Sequence, residues 1–293
     1  MCVCATLPSP VAHSVSMADE LDELLGFLSS PSLQVLSLLP SFYTSPIILH
    51  DYFPLLLQVK KAAVVIVRDL TGSDGGIDIL ASVSDFSLPP LCLLLHEPLE
   101  VSAPASEALI NLSQNPNLAE KLVSLRAVDA AMEVIYKQGG SDSRLSRLIV
   151  MLLVNLTQLD SGIVSLLQVG DDKIEGLYLS KLVRSFCRSN FSDTTGDTYE
   201  HVASIILNVS KLEVGRRILL QTKGSLLKQI IRQSDSSNPL RKKGVSGAIR
   251  NCCFDADRKL QNLLMLSEFL WPALLLPVAG KKVFLKIITF YLI

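Results

Sequence analysis

Apolar side chains return along much of this chain at intervals of three and four. Val59, Ala62, Ala63, Ile66, Val67 and Leu70 follow that spacing, as do Val202, Ala203, Ile205, Ile206 and Val209. A period of about 3.6 residues gathers such positions on one face, so each run predicts an amphipathic helix with a buried stripe. Polar or helix-breaking clusters follow at once, at Gly72–Gly76, Gln114–Asn117 and Asp160–Gly162, and a further apolar run opens after each. The first cluster, Gly72-Ser73-Asp74-Gly75-Gly76, is glycine-rich but has no Walker lysine and follows a helix instead of a strand. It reads as a helix stop.

The helical runs share a phrase. It reads Ile66-Val67-Arg68-Asp69-Leu70-Thr71, then Ala108-Leu109-Ile110-Asn111-Leu112-Ser113, then Leu152-Leu153-Val154-Asn155-Leu156-Thr157. Ile205-Ile206-Leu207-Asn208-Val209-Ser210 and Ala248-Ile249-Arg250-Asn251-Cys252-Cys253 complete the set. Aligned on Asp69, Asn111, Asn155, Asn208 and Asn251, the copies lie 42, 44, 53 and 43 residues apart. Apart from one longer interval, that is the period of armadillo and HEAT repeats, and it is too long for tetratricopeptide or ankyrin repeats. The register extends further, with Leu80, Leu122, Leu166 and Leu219 eleven residues after their anchors and a break only at Asn262. A unit of this kind buries its apolar face only by stacking on neighbours. The expected fold is all-α, an armadillo/HEAT-type α-solenoid of about five repeats.

Residues 1–16 contain Pro8 and Pro10 and no Lys or Arg, which fits a disordered extension and not a secretory signal. The repeat domain is assigned to 17–280, opening on the acidic amphipathic stretch that begins at Met17. Inside it, residues 35–58 have no Lys or Arg, three prolines and no clear period. Leu33-Gln34-Val35 recurs as Leu57-Gln58-Val59, so this atypical apolar stretch reads as an insertion that interrupts a repeat helix. The polar run at 189–197 reads as an exposed loop that accounts for the longest interval. Residues 281–293 form an apolar tail, read as an aberrant or alternatively spliced terminus. Its apolar run after Lys286 is far shorter than the roughly 20 residues of a membrane helix, so no membrane partner is expected.

Composition sharpens this picture. With 49% apolar and only 6% aromatic residues the chain suits interleaved helices better than a β-sandwich. A net charge of −1 argues against nucleic acid as the main ligand. The six cysteines, Cys2, Cys4, Cys92, Cys187, Cys252 and Cys253, form no regular framework, which points to a reducing cytoplasmic or nuclear compartment. No second pair joins Cys2 and Cys4 to complete a tetrahedral metal site. None of the histidines, His13, His50, His96 and His201, falls in a nucleophile–base pattern. Neither cofactor nor catalysis is expected, and the chain is read as a monomeric binding protein.

Two sets of residues are candidates for partner binding. Asn111, Asn155, Asn208 and Asn251 share one helical register and so form a ladder. Each amide could pair with the backbone of an extended segment from a partner, or could tie off neighbouring backbone within the solenoid. Arg241, Lys242, Lys243 and Arg250 form the densest basic cluster, suited to steering an acidic partner surface.

Three phrases carry a more specific likeness: Val67-Arg68-Asp69-Leu70-Thr71-Gly72, then Leu240-Arg241-Lys242-Lys243-Gly244-Val245 with Arg250-Asn251-Cys252-Cys253-Phe254, and Leu274-Leu275-Leu276-Pro277-Val278-Ala279-Gly280. Together these resemble a eukaryotic armadillo-type family once named for a supposed likeness to high-mobility-group proteins. The resemblance covers most of 17–280 outside 35–58. It implies an adaptor that links translation elongation factor 2 to the cytosolic chaperonin. Family members continue with more helical sequence beyond the counterpart of Gly280. The residues alone also admit a generic scaffold or transport-type solenoid that grips extended peptides.

Overall fold

A computed structural model describes residues 17–29, 46–138, 143–188, 196–221, 226–254 and 256–275. The extension at 1–16, residues 35–45 of the expected insertion, most of the polar run at 189–197 and the tail at 281–293 lie outside them. The described residues open on two helices, α1 (Met17–Leu28) and α2 (Pro46–Leu70). Four three-helix units follow. The first is α3 (Asp74–Ser82), α4 (Ser84–Leu94) and α5 (Leu99–Leu112). The second is α6 (Pro116–Ser124), α7 (Ala127–Gln138) and α8 (Ser143–Leu156). The third is α9 (Asp160–Leu167), α10 (Leu177–Arg188) and α11 (Val202–Val209). The fourth is α12 (Glu213–Leu219), α13 (Leu226–Ile231) and α14 (Pro239–Cys253). After it come α15 (Ala256–Leu264) and a helical stretch at 267–275. Three helices per unit favour the armadillo form over the two-helix HEAT form.

The third helices stack in a row, α5 packing on α2 and α8, and α11 on α8 and α14. Val67, Leu109, Leu153, Ile206 and Ile249, at equivalent positions, are buried along it. So are Ala108, Leu152, Ile205 and Ala248, three residues before their anchors; Ile66 at the same position is 49% exposed. Among the described residues α2 packs on one third helix, α5.

Helix starts are set by short polar side chains. Asn115 Oδ1 accepts from Asn117 N at 2.9 Å ahead of α6, and Asn238 Oδ1 accepts from Leu240 N at 2.9 Å ahead of α14. A proline at the first helical position follows both caps, where its missing N–H costs nothing. The Gly72–Gly76 cluster is only half a stop. Thr71 and Gly72 end α2, but Ser73 caps α3 by accepting from Gly76 N at 3.2 Å, so Gly75 and Gly76 lie inside the next helix. The reason is the tightness of the turn: a Cβ at Gly76 would stand 1.9 Å from the Leu70 carbonyl oxygen. Gly162 and Gly215 hold the same place in later units, each 2.0 Å from such a clash.

Residues 46–58 do not break a helix. They form the first half of α2, which at 25 residues is much longer than α5 or α8 at 14 each. Leu57 packs on the core while Leu55 is exposed. Among the described residues no single helix is long and apolar enough to cross a membrane.

Candidate partner-binding face

Asp69, Asn111, Asn155 and Asn208 are each the penultimate residue of a third helix, and Asn251 is one place earlier in α14. The ladder therefore exists as a register. Asn111 Nδ2 donates to Thr71 Oγ1 at 2.9 Å, and Asn155 Nδ2 donates to Ser113 Oγ at 3.0 Å and to the Ile110 carbonyl at 3.1 Å. Asn208 Nδ2 reaches Thr157 Oγ1 at 3.3 Å and the Val154 carbonyl at 3.4 Å, and Asn251 Nδ2 reaches Ser210 Oγ at 2.9 Å. Each hydroxyl lies two residues past the preceding anchor. It passes its own proton back to a carbonyl of its own helix end, as Ser113 Oγ does to Ile110 O at 2.8 Å and Ser210 Oγ to Leu207 O at 2.7 Å.

The result is a relay that binds one unit to the next and satisfies carbonyls that a helix C-terminus leaves unpaired. It also fixes the amide orientation, since a carbonyl can only accept. Of the two readings of the ladder, tying off neighbouring backbone describes the amide nitrogens. The amide oxygens differ. Lys211 Nζ donates to Asn208 Oδ1 at 3.0 Å, whereas the Oδ1 atoms of Asn111, Asn155 and Asn251 have no partner among the described residues. Three half-buried acceptors, spaced by whole repeats, thus remain on the face. Asp69 shares the register but not the relay: its carboxylate takes Arg68 at 2.9 and 2.7 Å. That hydrogen bond raises the Arg68 pKa.

Ion pairs cross the same face between units. Glu107 of α5 lies 3.6 Å from Arg68 of α2 and 3.1 Å from Arg144 of α8, and Glu200 just before α11 joins Arg147 of α8 to Asn238. At the end of the row α14 approaches α11 closely. A Cβ at Gly244 would fall 2.4 Å from the Ala203 carbonyl oxygen, and one at Gly247 would fall 2.6 Å from Leu207 Cδ1. The Lys-Gly-Val-Ser-Gly run is therefore a packing seam.

That seam divides the basic cluster. Lys242, Lys243 and Arg250 are exposed, and Lys243, Gly247, Arg250 and Phe254 follow one another at helical spacing down one side of α14. The Arg250 guanidinium lies 5.4 Å from the Phe254 ring centre, a ring that is itself 73% exposed. Arg241 is a correction, for it is fully buried and cannot meet a partner. Its guanidinium donates to both oxygens of Asp197, to the Phe186 carbonyl at 2.7 Å and to Gln233 Oε1 at 3.2 Å, and stacks 4.1 Å from the Phe186 ring. Asp197 is 5% exposed, so the end of the polar run read as an exposed loop is an interior anchor. Gly196, just before it, takes a φ of 86°, a conformation that favours glycine.

The thiols of Cys92, Cys187 and Cys253 are not poised for chemistry. Burial pushes Cys92 up to about 12 and raises Cys187 and Cys253 as well. Among the described residues no group of three or more His, Cys, Asp or Glu side chains is placed to hold a metal ion.

Stacked three-helix units with an asparagine relay along the third helices define the armadillo class of α-solenoid. Solved structures agree. A designed armadillo repeat protein superposes with a TM-score of 0.61 at 18% identity, covering 86% of this chain and 90% of its own. Another, in complex with the peptide (KR)4, gives 0.57 at 18% identity over 87% of this chain and 98% of its own. Within that class the chain belongs to the family described as domain of unknown function DUF383, matched over residues 137–286. Similar curated proteins bear the name Protein HGH1 homolog. The one from Dictyostelium discoideum is 30% identical over 59% of this chain and 48% of its own length. Those from Danio rerio and Homo sapiens are each 28% identical, over 77% and 87% of this chain and 58% and 62% of their own. The chain thus spans about half to three-fifths of the relatives it matches.

Proposed function

We propose that this chain is a non-catalytic cytoplasmic adaptor that holds translation elongation factor 2 on its third-helix face and presents it to the cytosolic chaperonin. The observation that carries the reading is the face itself. Unpartnered amide oxygens of Asn111, Asn155 and Asn251 recur by repeat, and the row ends on exposed Lys242, Lys243, Arg250 and Phe254. Acceptors at fixed spacing suit backbone N–H groups of a client, and the basic end suits an acidic surface on it. The phrases resembling the adaptor family, now set in α2 and α14, supply the identity of the client. That Cys92, Cys187 and Cys253 form no disulfide among the described residues suits a reducing compartment.

A second reading has a specific observation behind it, the armadillo neighbour bound to the peptide (KR)4. In that reading the amide oxygens grip extended peptides in general. Affinity capture with the tagged chain, followed by mass spectrometry, separates the two. Elongation factor 2 and chaperonin subunits support the adaptor, and a set of unrelated proteins sharing one short motif supports the peptide binder.

A further inference from the structure

The second helices of the third and fourth units carry another charged surface. On α10 the buried positions are Leu179, Leu182, Val183 and Phe186, and Lys181, Arg184 and Arg188 fall on the opposite side by helical spacing. On α13 Leu226, Leu227, Ile230 and Ile231 are buried, and Lys228 and Arg232 stand opposite. The two helices pack side by side. Cys187 joins their surfaces, with its Sγ 3.6 Å from the Gln229 carbonyl and its thiol within the field of Arg232. Five cations therefore share one face.

Aromatic rings hold three of them there. Lys181 Nζ lies 5.2 Å from the Tyr136 ring centre, and Lys228 Nζ and Arg232 Cζ lie 4.2 and 5.6 Å from that of Phe269. Such contacts fix the stems of long basic side chains and leave their N–H donors facing outward. Several exposed cations elsewhere are matched, as Arg126 is by Asp129, Lys137 by Glu133 and Arg217 by Glu175. Among the described residues none of these five has a carboxylate within 4.0 Å. Unmatched charge held on aromatic supports is the mark of a surface completed by an anionic ligand.

The extent of the patch selects the ligand. Neighbouring helices stand roughly 8–10 Å apart and residues four apart about 6 Å along an axis, so the cations span two repeats and no more. A nucleic acid needs a longer run of cations to gain affinity from its backbone. Two or three carboxylates on a short segment match the rectangle. We propose that this face docks an acidic segment of a partner protein, independently of the asparagine row.

The probe is a fluorescein-labelled peptide of alternating Glu and Ser, followed by anisotropy at low salt on the full chain. The chain is expected to bind it and to lose at least about tenfold in affinity in the Arg184→Glu/Arg232→Glu variant. Arg184→Gln/Arg232→Gln, which keeps the stems without the charge, is expected to lose several-fold, and Lys61→Glu on α2 is expected to bind unchanged. Circular dichroism confirms folding, and the glutamine pair decides the matter if reversal unfolds the chain. Undiminished peptide binding in the glutamine pair would overturn the proposal, as would tighter binding of a uridine oligonucleotide or of phosphatidylserine vesicles than of the peptide.

Discussion

Asn155 makes its contribution with two atoms that face different ways. Its amide nitrogen serves Ser113 and the Ile110 carbonyl, and its oxygen stays on the surface. Asn155→Ala should cost about 1–3 kcal/mol, the range for leaving partly buried polar groups unmet, read as a lower urea midpoint with an unchanged slope. Asn155→Asp keeps the surface oxygen but removes the donor, so it should destabilise comparably. Arg241 is the sharper case. Arg241→Met removes one member of a buried pair and strands Asp197, so about 3–5 kcal/mol of stability should be lost in the same titration. A loss under about 1 kcal/mol would mean that Asp197 finds water instead. The register of the asparagines was legible because the phrase repeats with the packing that demands it. The fate of Arg241 was not, because its partner lies 44 residues away, at the end of a polar run. One cation among three in a row gives no local sign of which will be buried.

Elements were legible where their periods are clear. The apolar runs fix the third helices, whereas Asn-Pro at 115–116 and 238–239 is seen to start α6 and α14 only in the structure. Two readings failed for physical reasons. The glycines at 75 and 76 looked like a stop because glycine is poor in helices, yet the close approach of the Leu70 carbonyl requires a residue without Cβ at Gly76. Residues 46–58 showed no clean period, yet they continue α2 by several turns, where Leu55 is 61% exposed. These turns lengthen a helix that its counterparts keep short. A chain lacking 35–58 should accordingly be more soluble and melt no lower than the full chain. A fall in Tm of more than about 5 °C, roughly 1 kcal/mol for a small domain, would show that the extra turns hold α1 in place.

At the scale of the whole molecule, units that bury one another also set one face in register, and the proposed client would meet acceptors spaced by whole repeats and a basic end. The repeat, and with it the fold, could be read from five phrases. The face could be read only in part, since sequence cannot tell an amide nitrogen spent on the neighbouring repeat from an amide oxygen left for a partner. The most direct test is a titration of labelled elongation factor 2 with the chain and with its Lys242→Glu/Lys243→Glu variant, at low and at high salt. Saturable binding is predicted, weakened about tenfold by the reversal at low salt, with the gap closing as salt screens exposed charge. No saturable binding, or equal affinity of the two chains at every salt concentration, would contradict it.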